Sequence, residues 1–443
     1  MFEVITRKEK VKDFLYDENT RFYCRLKGEN TFVRNRKILF TDLLLITLNN
    51  KAKTTSMEIR DYEINLKGND KVNYTDEAYL KQRRHLNPQV FKEANRVFTN
   101  ALYNESNDAK RYKNYIILGI DGSKYEVPNT TQNKEYFGIQ KTQHERQPAR
   151  ANVSTIYDLL NNFYLDLQID KYVSSEKDLA KRNIEETLKV LKNEEIILIM
   201  DRNYISLEFL LWLNERYIKY IFRLGKNVYK KEISAMETDD EYVNIIHTYP
   251  RLQNIKANYP EEGRKLEELK ETKVRVTKSK IKESKELVLL TNLSMEEFSK
   301  KEIEMLYSKR WNIEGSYDCM KNKLSSESFT GNLPILVEQD LYAQVLIYNQ
   351  LQDMINESNE RLKQKKKKTK LEYKINENKA VGLFKDKFIR IILIKDKEVS
   401  SKEYDHLMDE MTNYVTALRP NRPSNPRNFN RANKYKTNMK PSY

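Results

Sequence analysis

The sequence predicts an α/β protein built on a mixed sheet with helices packed over it. Two observations lead there. Two short apolar runs each end on an aspartate, Tyr115-Ile-Ile-Leu-Gly-Ile-Asp121 and Ile196-Ile-Leu-Ile-Met-Asp201. Between residues 115 and 224, strand-like and helix-like segments alternate, the order that builds a helix-covered sheet. Ligands of such sheets gather at the carboxyl ends of the strands, where both aspartates stand.

The first hundred residues read as short basic helices. Asn87-Pro88 opens one that runs to about Tyr103, with Asn at the cap and Pro in the first turn. Lys81, Arg83, Arg84 and His85 precede it as a basic cluster. That cluster is either a DNA-binding face, with Arg83 and Arg84 on phosphates, or a solvated charged surface. In the next segment, Asp121-Gly122 is a turn signal, and Lys124–Val127 is expected to return as a hairpin partner. Strands are expected at about 150–157 and 160–168. Ser175-Glu-Lys-Asp178 resembles a capping box opening a helix to about Leu191. The strand ending at Asp201 follows, then a helix from Ser206 through Arg216 and a strand over 219–224.

Residues 226–293 are lysine-rich and alternating, as in Lys273-Val-Arg-Val-Thr277, and read as an inserted β-rich subdomain. Ser294-Met-Glu-Glu297 is a further capping box, opening a helical region past Lys321. A helix from near Pro334, a basic linker at 361–370 and a helical segment over about 376–396 come next. The Arg-, Asn- and Pro-rich end from Arg419 reads as a disordered basic tail. The expected organisation is a helical DNA-binding domain (1–108), a core in two pieces (109–225 and 294–330), the insertion (226–293), a helical C-terminal region (331–418) and the tail (419–443).

Composition narrows the function. With 80 Lys and Arg against 65 Asp and Glu, the net charge is +15, which favours a polyanionic partner through counterion release. The apolar runs are too short to span a bilayer, and the start does not resemble a signal peptide. Two cysteines and four histidines make neither a disulfide framework nor a zinc cluster. An anionic membrane surface would also suit this charge, but nothing resembles a membrane element, so a cytoplasmic protein with a polyanionic partner and no membrane partner is the expectation.

The most specific pattern is Tyr307-Ser-Lys-Arg310-Trp-Asn-Ile-Glu314-Gly-Ser-Tyr-Asp-Cys-Met-Lys321. On a single helix, positions 307, 310, 314 and 321 fall within an arc of about 60° along roughly 20 Å. One carboxylate among groups that bind phosphate suits a helix facing both a metal site and a nucleic-acid backbone. The plainer alternative is a solvated i to i+4 charge pair, Arg310 with Glu314. Against it, Trp311, Ile313 and Tyr317 occupy another arc, and the spacing is expected by chance in about one chain in a hundred.

This spacing resembles the Y-(2)-R-(3)-E-(6)-K signature of bacterial insertion-sequence DDE transposases related to insertion sequence four. Ile120-Asp121-Gly-Ser123 resembles the first aspartate motif of that group, and Met200-Asp201-Arg-Asn-Tyr204 the second, with Asn203 where glycine is common. The resemblance covers about residues 75–355. It implies an RNase H-like core interrupted by the insertion, with Asp121, Asp201 and Glu314 as catalytic residues and as ligands of two Mg²⁺ ions, Mn²⁺ able to substitute. It further implies phosphate contacts by Tyr307, Arg310 and Lys321, and a homodimer on double-stranded DNA that cuts at terminal inverted repeats and joins the freed 3′-hydroxyl to target DNA. The rival expectations are a transposase-derived protein that binds without cutting, and a nuclease of the same core without strand transfer.

Overall fold

The computed structural model describes residues 2–34, 36–141, 147–282, 285–365 and 371–419. The chain divides into two units. One joins Met1–Asp108, Lys124–Ala151 and Tyr317–Tyr443, and the other joins Ala109–Ser123 and Asn152–Ser316.

The second unit is built on an eight-stranded sheet. Its strands are β1 (Tyr115–Glu126, of which residues up to Ser123 belong to this unit), β2 (Arg150–Asp158), β3 (Phe163–Lys171), β4 (Glu195–Met200), β5 (Lys219–Arg223), β6 (Asp240–Ile246), β7 (Glu271–Lys282) and β8 (Lys285–Thr291). Their order is β3-β2-β1-β4-β5-β8-β7-β6. β1 pairs parallel with β4 and β4 with β5, whereas β5–β8, β8–β7 and β7–β6 are antiparallel. The sheet is therefore mixed. Ile116–Leu118, Ile197–Met200 and Tyr220–Phe222 are completely buried. Both faces of the central strands are covered, which explains runs without polar alternation. The helix Glu176–Val190 starts where Ser175 accepts the Asp178 N–H, and Leu207–Glu215 joins β4 to β5.

Three expectations need correction. The hairpin at Asp121-Gly122 does not form, because Gly122 is not among the positive-φ glycines and β1 runs on, extended, to Glu126. Residues 226–293 are not a separate β-rich subdomain. They contain the helices Lys230–Ser234, Tyr249–Asn258 and Pro260–Leu269, and their strands continue the core sheet through β8 against β5. Pro250 and Pro260, each in the first turn of its helix, are the signals that mark these starts. Finally, the helix after the insertion opens at Lys300 rather than at Met295. Ser299 and Glu302 make the reciprocal capping box, while Ser294 only closes a turn by accepting the N–H of Glu297.

The other unit is helical, as expected for the N-terminal residues: Phe2–Tyr16, Glu18–Tyr23, Phe40–Leu48, Thr55–Arg60, Asp76–Arg83 and Gln89–Tyr103. Asn87 accepts the N–H of Gln89, but the cap residue is Pro88 and the helix starts at Gln89, one residue later than expected. The 31-residue helix Pro334–Gln364 is buried over most of its first two-thirds, polar positions included. Of those polar groups, Asp353 is held by Arg7, which grips it through two bonds of 2.9 and 2.8 Å and also donates to Asp108, whereas both side-chain amide atoms of Gln350 are buried without a hydrogen-bond partner. The helix takes in the start of the expected basic linker, whose residues 366–370 lie outside the described residues. Helices Glu377–Leu393 and Lys397–Met411 and a two-stranded ladder, β9 (Glu372–Ile375) with β10 (Val415–Leu418), complete the unit. The tail from 420 on also lies outside the described residues.

One buried cation in this unit makes stability pH-dependent. Lys385 Nζ donates to the carbonyls of Asn50 and Leu324, both at 3.0 Å, and burial pulls its pKa from 10.5 down to about 7, with Glu58 opposing the drop. The unfolded chain keeps this proton up to about pH 10.5, the folded chain only to about 7. The unfolded state thus binds more protons inside that window, and stability rises with pH across it. Urea unfolding of the native chain should gain on the order of 2–4 kcal/mol between pH 7 and 10 relative to Lys385→Met. A constant difference between the two would mean that Lys385 stays charged.

Candidate active site

The pairing of β1 with β4 positions the two aspartates. Their register runs from Tyr115 opposite Glu195 to Ile120 opposite Met200, so Asp121 and Asp201 are the next residues on two adjacent parallel strands. After that point the strands part. β1 continues extended, whereas Asp201 caps the short 3-10 turn Arg202–Tyr204, its carbonyl accepting the Tyr204 N–H at 3.2 Å. Asn203 sits inside this turn and is not a positive-φ residue, so the local backbone does not require glycine there.

Glu314 comes from the helix Trp311–Asp318. That helix is fixed to the sheet by Asn312, which donates to the Leu159 carbonyl at 3.1 Å, and by the Tyr164 hydroxyl, which donates to Ser316 Oγ at 2.7 Å. The approach to it is held by Arg275, 1% exposed, which grips Asp240 with two bonds and donates to the carbonyls of Ser294 and Phe298. Strands of the insertion thereby anchor the chain that leads to Glu314.

Electrostatics tie the three carboxylates together. The pKa of Asp121 is raised to about 6, chiefly by burial; Glu314 and Asp201 push it further up, against the Gly122 N–H and Arg310. Arg310 is 6% exposed and donates to Glu314 Oε1 at 2.7 Å. Burial opposes its charge, but Tyr307, Glu314 and Asp201 outweigh that and raise its pKa. Its Nε is buried without a hydrogen-bond partner, and its guanidinium lies 5.0 Å from the centroid of the exposed Trp311 ring. Tyr307, 5% exposed, has its pKa raised by burial and, less strongly, by Asp201. Tyr307, Arg310, Glu314, Asp121 and Asp201 therefore share one neighbourhood.

Two members of that neighbourhood have no role in the sequence reading. Tyr204 is fully buried, and burial followed by Asp121, Glu176 and Asp201 lifts its pKa well above the tyrosine range. A methyl placed on Gly122 would touch the Glu176 carboxyl at 3.5 Å and the Tyr204 hydroxyl at 3.6 Å. The signals were present: Tyr204 closes the second aspartate motif, and Glu176 follows the capping Ser175.

The expected helical stripe is broken. Lys300–Ser308 ends before Arg310, a new helix starts at Trp311, and Cys319–Lys323 is π-helical, so the four residues do not lie on one continuous α-helix. Lys321 belongs to the helical unit, where its Nζ donates to the Lys124 carbonyl at 2.7 Å, lies 4.1 Å from the Tyr125 ring centroid and is 3.9 Å from Glu327. In the same unit Arg83 is completely buried, with its Nε on Gln339 at 2.9 Å, its NH2 on Asp340 at 2.7 Å and its NH1 on Thr330. A guanidinium enclosed in this way is not a phosphate contact. Arg84, next to it, is exposed.

Among the described residues, no three His, Cys, Asp or Glu side chains already converge as metal ligands. The donor chemistry nonetheless suits a divalent cation. Three carboxylates supply hard oxygens, and burial, with smaller contributions from Glu314 and Asp201, disfavours a bare charge on Asp121, a charge that a cation would stabilise.

The strand-end aspartates and the helix-borne glutamate thus lie in one electrostatic neighbourhood. A family model described as the transposase DDE domain matches residues 112–350, just over half of the chain, and the protein belongs to that family. No curated protein matches the chain. A solved piggyBac transposase synaptic complex with hairpin DNA is similar at a TM-score of 0.42 and 10% identity, over 92% of this chain and 81% of that one. No helix among the described residues is long and apolar enough to cross a membrane.

Proposed function

We propose that the protein catalyses cut-and-paste transposition of an insertion sequence, as a member of the insertion-sequence-four-related group with an RNase H-like core. The observation that carries the proposal is the placement of Asp121 and Asp201 side by side on β1 and β4, in one electrostatic field with Glu314, within a transposase DDE domain. Asp121, Asp201 and Glu314 would hold two Mg²⁺ ions, with Mn²⁺ able to substitute. Bound there, such ions supply an activated water or 3′-hydroxyl and stabilise the leaving oxygen. Arg310 orients Glu314 and presents positive charge beside the scissile phosphate, with Tyr307 in its electrostatic neighbourhood. Lys321 and Arg84 contact the DNA backbone, and the working form is a homodimer on double-stranded DNA that carries the terminal inverted repeats.

Strand transfer distinguishes this reaction from hydrolysis alone. Pre-cut ends with a free 3′-hydroxyl, incubated with a target plasmid and Mg²⁺, should yield covalently joined products. Hydrolysis without any joining would make the protein a nuclease. Arg310→Lys keeps the charge but loses the planar fork, so cleavage should fall about ten- to a hundredfold with unchanged fold. If cleavage by Arg310→Lys matched the native rate, Arg310 would have no orienting role.

A further inference from the structure

The helical unit contains a cavity of about 440 Å³ that the proposed chemistry does not use. It lies between residues 30–34 and 36–38, the helix Glu18–Tyr23 and the end of the helix Asp76–Arg83. Five cationic or protonatable side chains reach its wall: Arg21, Arg34, Arg36, Lys81 and His85. Among the described residues no Asp or Glu lines it; Glu29 is bonded to His85 Nδ1 at 2.9 Å from outside the wall. The ligand that suits this charge is an anion.

Size and lining say more. The volume is several times what a bare phosphate fills, and the remaining wall is part apolar, part hydrogen-bonding. Phe32 and Phe40 meet edge to face, with centroids 5.4 Å apart, and both contribute to the wall. Phe32 is held at φ +57°, in the left-handed region that costs a bulky side chain most, a kind of strain that clusters where ligands are gripped. Thr31 Oγ1 is buried at the wall without a hydrogen-bond partner, and Gln82 and Asn30 also line the cavity. Arginines for a phosphate, an aromatic face for a planar ring and unmet hydrogen-bonding groups for its edge are together the requirements of a nucleotide.

We infer that this cavity seats a single unpaired nucleotide of a DNA strand, with its phosphate on Arg34, Arg36 and Lys81 and its base against Phe32. The inference depends on the transposase reading only in taking DNA as the source of that nucleotide. It also relocates nucleic-acid contact within the N-terminal helices. The enclosed Arg83 is replaced by Arg34 and Arg36, which are exposed, and by Lys81 on the same helix as Arg83.

Fluorescence anisotropy with the full chain tests it, using three labelled probes: a fully paired duplex, the same duplex with one unpaired nucleotide, and that duplex with the unpaired position abasic. The unpaired probe should bind on the order of tenfold tighter than the paired one, and the abasic probe should fall back to the paired level. Arg34→Ala with Arg36→Ala should abolish the preference. Phe32→Leu, which keeps the apolar contact with Phe40 but removes the flat face, should abolish it too while leaving paired binding intact. Equal affinity for all three probes would overturn the pocket and leave DNA binding standing, whereas failure to bind any probe would overturn both. Saturation by a free deoxynucleoside monophosphate, with no preference among the probes, would assign the cavity to a free nucleotide and overturn the DNA source.

Discussion

Asp121→Asn, Asp201→Asn and Glu314→Gln are each expected to abolish DNA cleavage, by about three orders of magnitude or more, without loss of DNA affinity. Each change is nearly isosteric and removes one oxygen ligand. Affinity should hold or rise, because the site sheds a negative charge that repels the phosphate. The contrast with a structural role is clear at Asp121. A carboxyl whose pKa is raised to about 6 by burial and two acidic neighbours is a burden on folding when ionised, so Asp121→Asn should not lower the melting temperature. If cleavage persists near the native rate in any one variant, that residue is not part of the site. If cleavage is lost together with thermal stability, the loss reports misfolding instead.

The second large effect is on stability. Arg83→Ala should cost about 3–5 kcal/mol, because it strands Asp340 inside the helical unit with its partner gone. The remaining bonds from Thr330 to Asp340, at 2.8 to 3.0 Å, cannot neutralise the carboxylate. Arg83→Met combined with Asp340→Leu should recover most of the loss, since an apolar pair of similar volume removes both buried charges. Urea midpoints with tryptophan and far-ultraviolet readouts measure both variants. Unchanged stability in Arg83→Ala alongside weakened DNA binding would restore the phosphate-contact role that the basic cluster first suggested.

These two sites show what the sequence made legible and why. Asp121 and Asp201 could be read because an apolar run that stops at a carboxylate is a local signal, and the parallel pairing of the two strands follows from the helices between them. The continuation of β1 through Gly122 could not. Asp-Gly is a turn former in isolation, and what overrides it is pairing further along, where the Val127 N–H finds the Ala149 carbonyl at 3.1 Å. The spacing of Tyr307, Arg310 and Glu314 pointed to residues that do share one neighbourhood. The break at Lys309-Arg310 and the π-helical turn at Cys319–Lys323 leave no mark in residue periodicity, so the stripe extended one helix too far.

The basic cluster at 81–85 shows the same limit in another form. Charge is visible in a sequence, but whether it is solvated depends on a partner 257 residues away, Asp340. Residues 226–293 differ from the expected subdomain for a related reason. Their strands alternate as a two-faced sheet would, yet the pairing of β8 with β5 that joins them to the core is long-range. Pro250 and Pro260, in the first turns of two of the three helices there, are the legible signal of those helices.

The central claim is that Asp121, Asp201 and Glu314 form a metal-dependent site for DNA strand cleavage. The most direct measurement is an end-labelled cleavage assay on DNA carrying the element's own termini, run with Mg²⁺, with Mn²⁺ and with chelator. Cuts at the element boundary that appear with either metal and vanish with chelator are the predicted result. Specific binding to the termini with no cut under any of these conditions, or cutting that chelator leaves untouched, would contradict it.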